Sequence, residues 1–282
     1  MTGFDEPRPR LDGETLQLLR ELFRGAFGLQ LRDDLAFIAE RRLWTRLEAL
    51  ELRDFAGYHR YLMHDARGKE ELELAAELLV PHETYFFREP TQLESFRDEV
   101  LPELASRFAP GRRLSLWSAG CSSGEEAYTL AMLLDGSGLF PGWDVQVHGT
   151  DVSRRVLQLA RAGEYGPSAV RAMPAGVLGR WFDRLDGGRY KVRDVLRTRV
   201  SFGHLNLMDA TGVKLLPPMH AIFCRNVLIY LEPRARLEVV ARFFERLVPG
   251  GLLFLGHSES LINESTAFEL VQLEGDLAYR KP

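Results

Sequence analysis

Cysteine is nearly absent: Cys121 and Cys224 are the only two in 282 residues. Two thiols in so long a chain make no disulfide framework. They are expected to be reduced and partly buried, as lone cysteines usually are. The seven histidines are scattered. None forms an H-E-x-x-H pattern or pairs with a C-x-x-C, so no metal is expected. No apolar run approaches the roughly 20 residues of a membrane span. The run GLLFLG at 251–256 has the length of a buried strand. The opening MTGFDEPRPR is charged and lacks the apolar stretch of a signal peptide. The cytoplasm is the expected compartment, with no direct membrane insertion. An excess of positive charge is missing too: the formal net charge is −4, which argues against a nucleic-acid partner. Internal repeats and low-complexity segments are also lacking. What remains is 45% hydrophobic and 27% charged residues, the balance of an ordinary globular chain large enough for one or two domains.

Residues 14–80 read as helices. Leu16, Leu19 and Phe23 recur at helical spacing, and Gly28 is placed to stop that helix. Asp33 and Asp34 suit the start of a second helix, whose apolar stripe is Leu43, Leu47 and Leu50. Two further short helices fit 54–64 and 68–80. No strand signal occurs before residue 113. From Pro90 the texture changes. Thr91 and Glu94 form a T-x-x-E capping box before the helix QLESFRDEVLPELASRF. Apolar strands then alternate with helices. The strands are LSLWSAG (114–120), VQVHGTD (145–151), VSFGHLN (200–206), AIFCRN (221–226) and GLLFLGH (251–257). Ser153 is placed to cap the helix 153–163, and Pro233 to open another. FELVQLEGDLAYR reads as a closing hairpin. Residues 165–199 interrupt the rhythm, with a hairpin expected around Asp186, Gly187 and Gly188. The expected fold is α/β: a small helical domain (1–85), then a doubly wound, mostly parallel sheet (86–282) with a small inserted β-subdomain at about 165–199.

The stretch SAGCSSGEEAYTLAM (118–132) carries the chemistry. It follows the first strand, where ligands of open parallel sheets bind. It is not a P-loop, because Glu125 stands where the phosphate-binding lysine belongs. Nor is it a clean dinucleotide loop, and two acids behind the last glycine would repel a pyrophosphate. Asp151 ends the next strand, a position from which an acid accepts ribose hydroxyls. A nucleoside that is cationic and phosphate-free is S-adenosylmethionine. The two acids also suit the positive end of a helix dipole, which leaves a purely structural role open. A nicotinamide oxidoreductase would need a better glycine loop without acids behind it.

Beyond the loop, several segments resemble, in order, the CheR-type chemotaxis receptor methyltransferases: HETYFFRE (82–89), WSAGCSSGEEAYTLAM (117–132), GTDVSRRVLQLARAGEY (149–165), NL (206–207), AIFCRNVLIYL (221–231) and GLLFLGHSE (251–259). The similarity covers nearly the whole chain. It implies a Rossmann-like class I methyltransferase fold and methyl transfer from S-adenosylmethionine to glutamate side chains of bacterial chemoreceptors, leaving S-adenosylhomocysteine. It assigns cofactor contacts to Thr84, Arg88, Glu126, Asp151, Asn206, Leu207, Arg225 and Asn226. His82 stands where the family commonly has a cofactor-touching Asn. Glu125 is then a helix-start residue. Tyr230 matches the family's proposed catalytic tyrosine, and Arg88 shares the catalytic centre. Phe86 and Phe87 are expected in the core rather than against the sulfonium.

Arg42, Arg46 and Arg53 recur at i, i+4 and i+11 and read as one basic helix face with Arg41 beside it, and the resemblance sets that helix, with Arg42 and Arg46 at matching positions, against the methylation region of the receptor's cytoplasmic helices. The hairpin stretch LDGGRYKV is about three residues shorter than in relatives that hold a receptor tether peptide, judged from flanking residues, which implies the tether-independent type. A monomer is expected. A homologue that binds the cofactor without turnover is the alternative.

Overall fold

The computed structural model describes residues 9–33, 36–262 and 265–282. Asp34, expected to help open the second helix, lies outside them. The chain divides into two compact units, Met1–Pro81 with Tyr230–Arg236, and His82–Ile229 with Leu237–Pro282.

The first unit is all-α. Helix α1 (Gly13–Phe27) begins where the Asp12 carboxylate accepts the Thr15 N–H, and it buries Leu16, Leu19, Phe23 and Phe27. It stops at Gly28, whose φ of 68° returns its N–H to the Arg24 carbonyl. Helix α2 (Ala36–Ala49) buries Ala39, Leu43 and Leu47. It ends one residue before Leu50, the expected third member of the stripe, and Glu51 turns the chain at φ 53°. Helices α3 (Phe55–His64) and α4 (Gly68–Leu79) complete the set. The segment around Leu231 joins this unit through a short antiparallel bridge: Leu29 faces Leu231, Gln30 N–H donates to the Tyr230 carbonyl, and Glu232 N–H to the Gly28 carbonyl.

The second unit opens with a helical stretch in three pieces: α5 (Pro90–Ser95), a π-turn (Phe96–Val100) and α6 (Leu101–Arg107). The expected T-x-x-E capping box does not form. Pro90 already occupies the first turn and Glu89 precedes it in the left-handed region with no side-chain cap, so Thr91 lies inside the helix. Proline's fixed φ and missing N–H suit that first turn better than a threonine cap outside it. The π-turn precedes Pro102, which cannot donate to the helix ladder.

The sheet is mostly parallel. Its first strands and helices are β1 (Arg113–Ala119), α7 (Glu125–Ser137), β2 (Asp144–Asp151) and α8 (Arg154–Ala162), the last capped by the Ser153 hydroxyl as expected. A small antiparallel subdomain follows, made of β3 (Glu164–Tyr165), α9 (Val177–Trp181), β4 (Phe182–Arg184) and β5 (Tyr190–Val192), with β5 central. Its hairpin turns through Gly187 and Gly188, both at positive φ. The main chain resumes with α10 (Asp194–Arg197), β6 (Val200–His204), α11 (Ala210–Lys214), β7 (Met219–Cys224), α12 (Pro233–Arg246), β8 (Leu247–Leu255), β9 (Glu269–Gln272) and β10 (Leu277–Arg280).

Seven strands pair in the order β6-β2-β1-β7-β8-β10-β9, with only β10 antiparallel to its neighbours. All six residues of β7 are buried, as a central parallel strand requires. Phe96 packs edge-on against Phe223 and Phe254 at 5.0 and 5.6 Å, and those two rings stack at 4.5 Å. Phe86 packs edge-on against Tyr165 and Phe182, and Phe87 is buried in the same core, so both phenylalanines have the packing role expected of them. Connections leave β1 toward β2 and β6 on one side and toward β7 and β8 on the other. The carboxyl ends of β1 and β7 therefore flank the switch point. No described helix is long and apolar enough to cross a membrane.

Candidate functional site at the switch point

The loop after β1 is held against β2 by its own backbone. Gly120 and Cys121 both donate N–H to the Thr150 carbonyl, at 2.8 and 2.9 Å. The turn then runs through Gly120, Ser122 and Gly124 at φ 79°, 48° and 94°. Gly124 is required there: a Cβ would stand 2.8 Å from the Ala160 methyl and 3.0 Å from the Phe202 ring. Gly120 is equally constrained, with Val227 2.5 Å from any added Cβ.

Asp151 closes the loop from below. One carboxylate oxygen accepts Ser122 N–H at 2.8 Å, and the other accepts Ser153 N–H at 2.9 Å. Its backbone carbonyl accepts Leu205 N–H, which brings the end of β6 alongside. Asn206 then folds its side-chain oxygen onto Met208 N–H, and the Leu207 carbonyl accepts from Arg242. The segment before α5 lies on the same loop. The His82 carbonyl accepts from the Ser122 hydroxyl, and Phe87 N–H reaches the Thr129 hydroxyl on α7. Thr84 is half-buried in that segment. Arg88 donates to the Glu83 carbonyl and lies 6.0 Å from the Tyr85 ring centre.

The two acids that open α7 differ. Glu125 is buried, with the Ser123 hydroxyl 2.8 Å away. Desolvation pushes its carboxyl from 4.5 up to about 7. Glu126 accepts from the Ser118 hydroxyl at 2.6 Å and meets Arg225 at 3.3 Å. Burial also raises its pKa, opposed chiefly by Arg225. Arg225 follows β7 with its side chain only 2% exposed. It bridges Glu126, Glu89 at 3.0 Å and the Arg88 carbonyl. Asn226 comes next at φ 60°, and its side-chain oxygen is buried with no hydrogen-bond partner among the described residues. One end of the sheet thus gathers His82, Arg88, Glu126, Asp151, Asn206, Arg225 and Asn226.

Family comparison agrees with the two-part architecture. A family model described as CheR methyltransferase, SAM binding domain, matches residues 82–276, and one described as CheR methyltransferase, all-alpha domain, matches residues 14–79. The chain belongs to the CheR methyltransferase family. Its second matched segment is the family's S-adenosylmethionine-binding domain. The chain is 37% identical to chemotaxis protein methyltransferase 2 of Vibrio cholerae, over 93% of this chain and 91% of that one. It is 34% identical to chemotaxis protein methyltransferase 1 of Pseudomonas aeruginosa, over 94% and 96%. A chemotaxis protein methyltransferase of Borreliella burgdorferi is 30% identical over 88% of both chains.

The remaining predicted residues of this CheR methyltransferase lie in its helical unit. Tyr230 is half-buried and holds Gln30 through its carbonyl. Arg46 forms a two-pronged ion pair with buried Glu71, at 2.8 and 2.7 Å, and Tyr58 donates to the same carboxylate. Arg42 donates to the carbonyls of Leu78 and Leu79, which end α4. Arg41 is exposed on α2. Arg53 is exposed but stands beyond the end of α2, so it does not share a helix face with Arg42 and Arg46. The helix stops at Ala49, before the spacing can carry Arg53 onto it.

Sequence reading missed Glu89, which sits in the quoted HETYFFRE yet carries no spacing signal, and the serines Ser118 and Ser122. Glu125, a plain helix-start residue by sequence, is buried, and its burial has a measurable consequence. A carboxyl raised on folding keeps its proton in the native state and loses it in the unfolded one between pH 4.5 and about 7. Stability therefore falls as pH rises through that window, by about 3 kcal/mol in all. Glu125→Gln keeps an acceptor for Ser123 without the charge. It is expected to match wild type near pH 4.5 and to exceed it by about 3 kcal/mol at pH 8 in denaturant titrations. A difference independent of pH would contradict the assignment.

Proposed function

We propose that this protein transfers a methyl group from S-adenosylmethionine to glutamate side chains of bacterial chemoreceptors, forming glutamate 5-O-methyl esters in chemotaxis adaptation. The observation that carries the reading is a glycine loop locked onto Asp151, with carboxylates where a phosphate binder keeps lysine. The relatives' names, chemotaxis protein methyltransferase, support the receptor as substrate.

The residues present fit the cofactor. The partnerless Asn226 oxygen leaves a buried acceptor that a ligand N–H or O–H would satisfy, and leaving it unmet costs about 1–3 kcal/mol. Asp151 is fixed at the end of β2 by Ser122 N–H and Ser153 N–H, where its carboxylate would meet ribose hydroxyls. Thr84, Arg88 and Glu126 would meet the amino-acid end, with Asn206, Leu207, Arg225 and Asn226 completing the holder and His82 taking the place of the family's Asn. When bound, S-adenosylmethionine supplies an electrophilic methyl group on a sulfonium.

The chain's own residues then have a simple task. A glutamate side chain has a pKa of about 4.3 and is already ionised at neutral pH, so no general base is needed. The site must align the carboxylate and exclude water. Tyr230 orients the incoming carboxylate through its phenol. Tyr230→Phe is expected to lower kcat by about 10- to 100-fold, the worth of one hydrogen bond to a charged group, while calorimetric affinity for S-adenosylhomocysteine stays put. Full turnover in that variant would remove Tyr230 from the mechanism.

Receptor recognition rests on Arg41, Arg42, Arg46 and Arg53. Arg41 and Arg53 are exposed, whereas Arg46 is committed to Glu71. The short turn from Leu185 to Arg189 supports the tether-independent type. Titration calorimetry of the full chain with S-adenosylhomocysteine tests the reading. Binding of one equivalent is expected, and failure to bind would contradict it.

A further inference from the structure

The Glu259 carboxylate collects four backbone N–H donors. One oxygen accepts from Asn226 at 2.7 Å and Gly256 at 2.8 Å, and the other from Val227 at 2.9 Å and Ile229 at 3.2 Å. Those donors come from the loops that leave two adjacent parallel strands, β7 and β8, whose ends pair through Cys224 and Leu255. Glu259 N–H returns to the Gly256 carbonyl at 2.8 Å, so the carboxylate is delivered by a tight turn. The packing leaves no slack. A Cβ on Gly256 would lie 2.8 Å from the Asn226 side-chain nitrogen and 2.9 Å from both the Asn226 backbone nitrogen and the Glu259 carboxylate.

The arrangement addresses a specific difficulty. Asn226 stands at φ 60°, in the left-handed region that non-glycine residues seldom adopt. Successive N–H groups in such a turn point inward and form a small anion-binding concavity. Glu259 fills that concavity with the protein's own anion. Burial opposes its ionisation and the backbone hydrogen bonds favour it.

We propose that Glu259 is a positioning residue for methyl-donor binding: its carboxylate fixes the left-handed turn at Asn226 and so the aim of the Asn226 carboxamide, whose oxygen is the buried acceptor without a partner. The inference rests on the reading of this site as the S-adenosylmethionine site. It assigns a role to the final acid of GLLFLGHSE, which the methyl-transfer chemistry does not use.

The test is a double-variant cycle on the full chain, read by calorimetry with S-adenosylhomocysteine and by thermal melting. Glu259→Gln is isosteric, but its amide nitrogen cannot accept from two of the four donors. It is expected to keep a cooperative melt and to bind S-adenosylhomocysteine about 10- to 100-fold more weakly. Glu259→Asp is expected to recover part of that loss. Because Glu259 acts through Asn226, the pair Glu259→Gln with Asn226→Ala is expected to bind no more weakly than Asn226→Ala alone. Wild-type affinity in Glu259→Gln would overturn the proposal, and so would losses that multiply in the double variant. If Glu259→Gln does not fold, Glu259→Asp in the same cycle carries the same two outcomes. Wild-type protein that fails to bind S-adenosylhomocysteine would overturn the cofactor reading itself, and this inference with it.

Discussion

Replacing Asp151 with alanine is expected to cost about 100-fold or more in affinity for S-adenosylhomocysteine, roughly 3 kcal/mol. Two losses combine. The carboxylate that would accept ribose hydroxyls is gone. So is the acceptor of Ser122 N–H, in a turn where Ser122 is held at φ 48°. The loop keeps its other anchors, the bonds from Gly120 and Cys121 to Thr150, so the fold is expected to survive. Asp151→Asn separates the contributions. It preserves size and one acceptor but turns an amide nitrogen toward one of two N–H donors, and is expected to lose nearly as much. Calorimetry with each variant, beside a circular-dichroism melt, measures both. Unchanged affinity in Asp151→Ala would remove the acid from the site.

Arg225→Met carries the largest expected effect on stability. The guanidinium is almost fully buried between Glu126 and Glu89, whose side chains are only 16% and 13% exposed. Deleting one partner of a buried ion cluster leaves uncompensated charge and typically costs about 3–5 kcal/mol. The pH dependence identifies the cause. Burial already raises the Glu126 pKa, and Arg225 is the chief influence holding it down. Without Arg225 the carboxyl rises further, so the folded variant holds a proton that the unfolded chain, with a carboxyl near 4.3, releases. Stability of the variant must then increase as pH falls from 8 toward 5. Denaturation midpoints at the two pH values are expected to show the deficit shrinking by half or more. A deficit equal at both would mean that lost packing, not stranded charge, is responsible.

The course of the second unit was legible because its strands are short apolar runs and its helices carry their own punctuation. Ser153 and Gly28 do what their types predict, since a cap is a local device that tertiary contacts seldom overrule. The T-x-x-E motif failed where two local signals competed and Pro90 took the first turn. Strand β8 begins at Leu247, four residues before the expected strand GLLFLGH. The pairing of Met219 with Leu247 and an irregularity before Ala221 recruit those residues, and no local pattern encodes that. Much of the candidate site was visible as motif fragments at strand ends, where open parallel sheets place ligands. What each side chain touches was not. Arg46 and Arg42 have the spacing of a solvated stripe, and only the approach of α4 gives them partners, Glu71 for Arg46 and the Leu78 and Leu79 carbonyls for Arg42, which stays exposed. Glu125 and Glu126 are adjacent and chemically identical in sequence, yet one is buried against a serine and the other faces an arginine 99 positions away. Glu259 is likewise one acid among many until its four donors are in place.

The central claim is carboxyl methylation of a receptor, and one measurement bears on it directly. The full chain is incubated with methyl-labelled S-adenosylmethionine and cytoplasmic fragments of its host's chemoreceptors, and the recovered protein is treated with mild alkali. Esters of glutamate hydrolyse under those conditions, so the account predicts protein-bound label that is released as methanol. Label that resists alkali would place the methyl on another atom, and no label on any host receptor, with S-adenosylhomocysteine binding intact, would mean a binder without turnover.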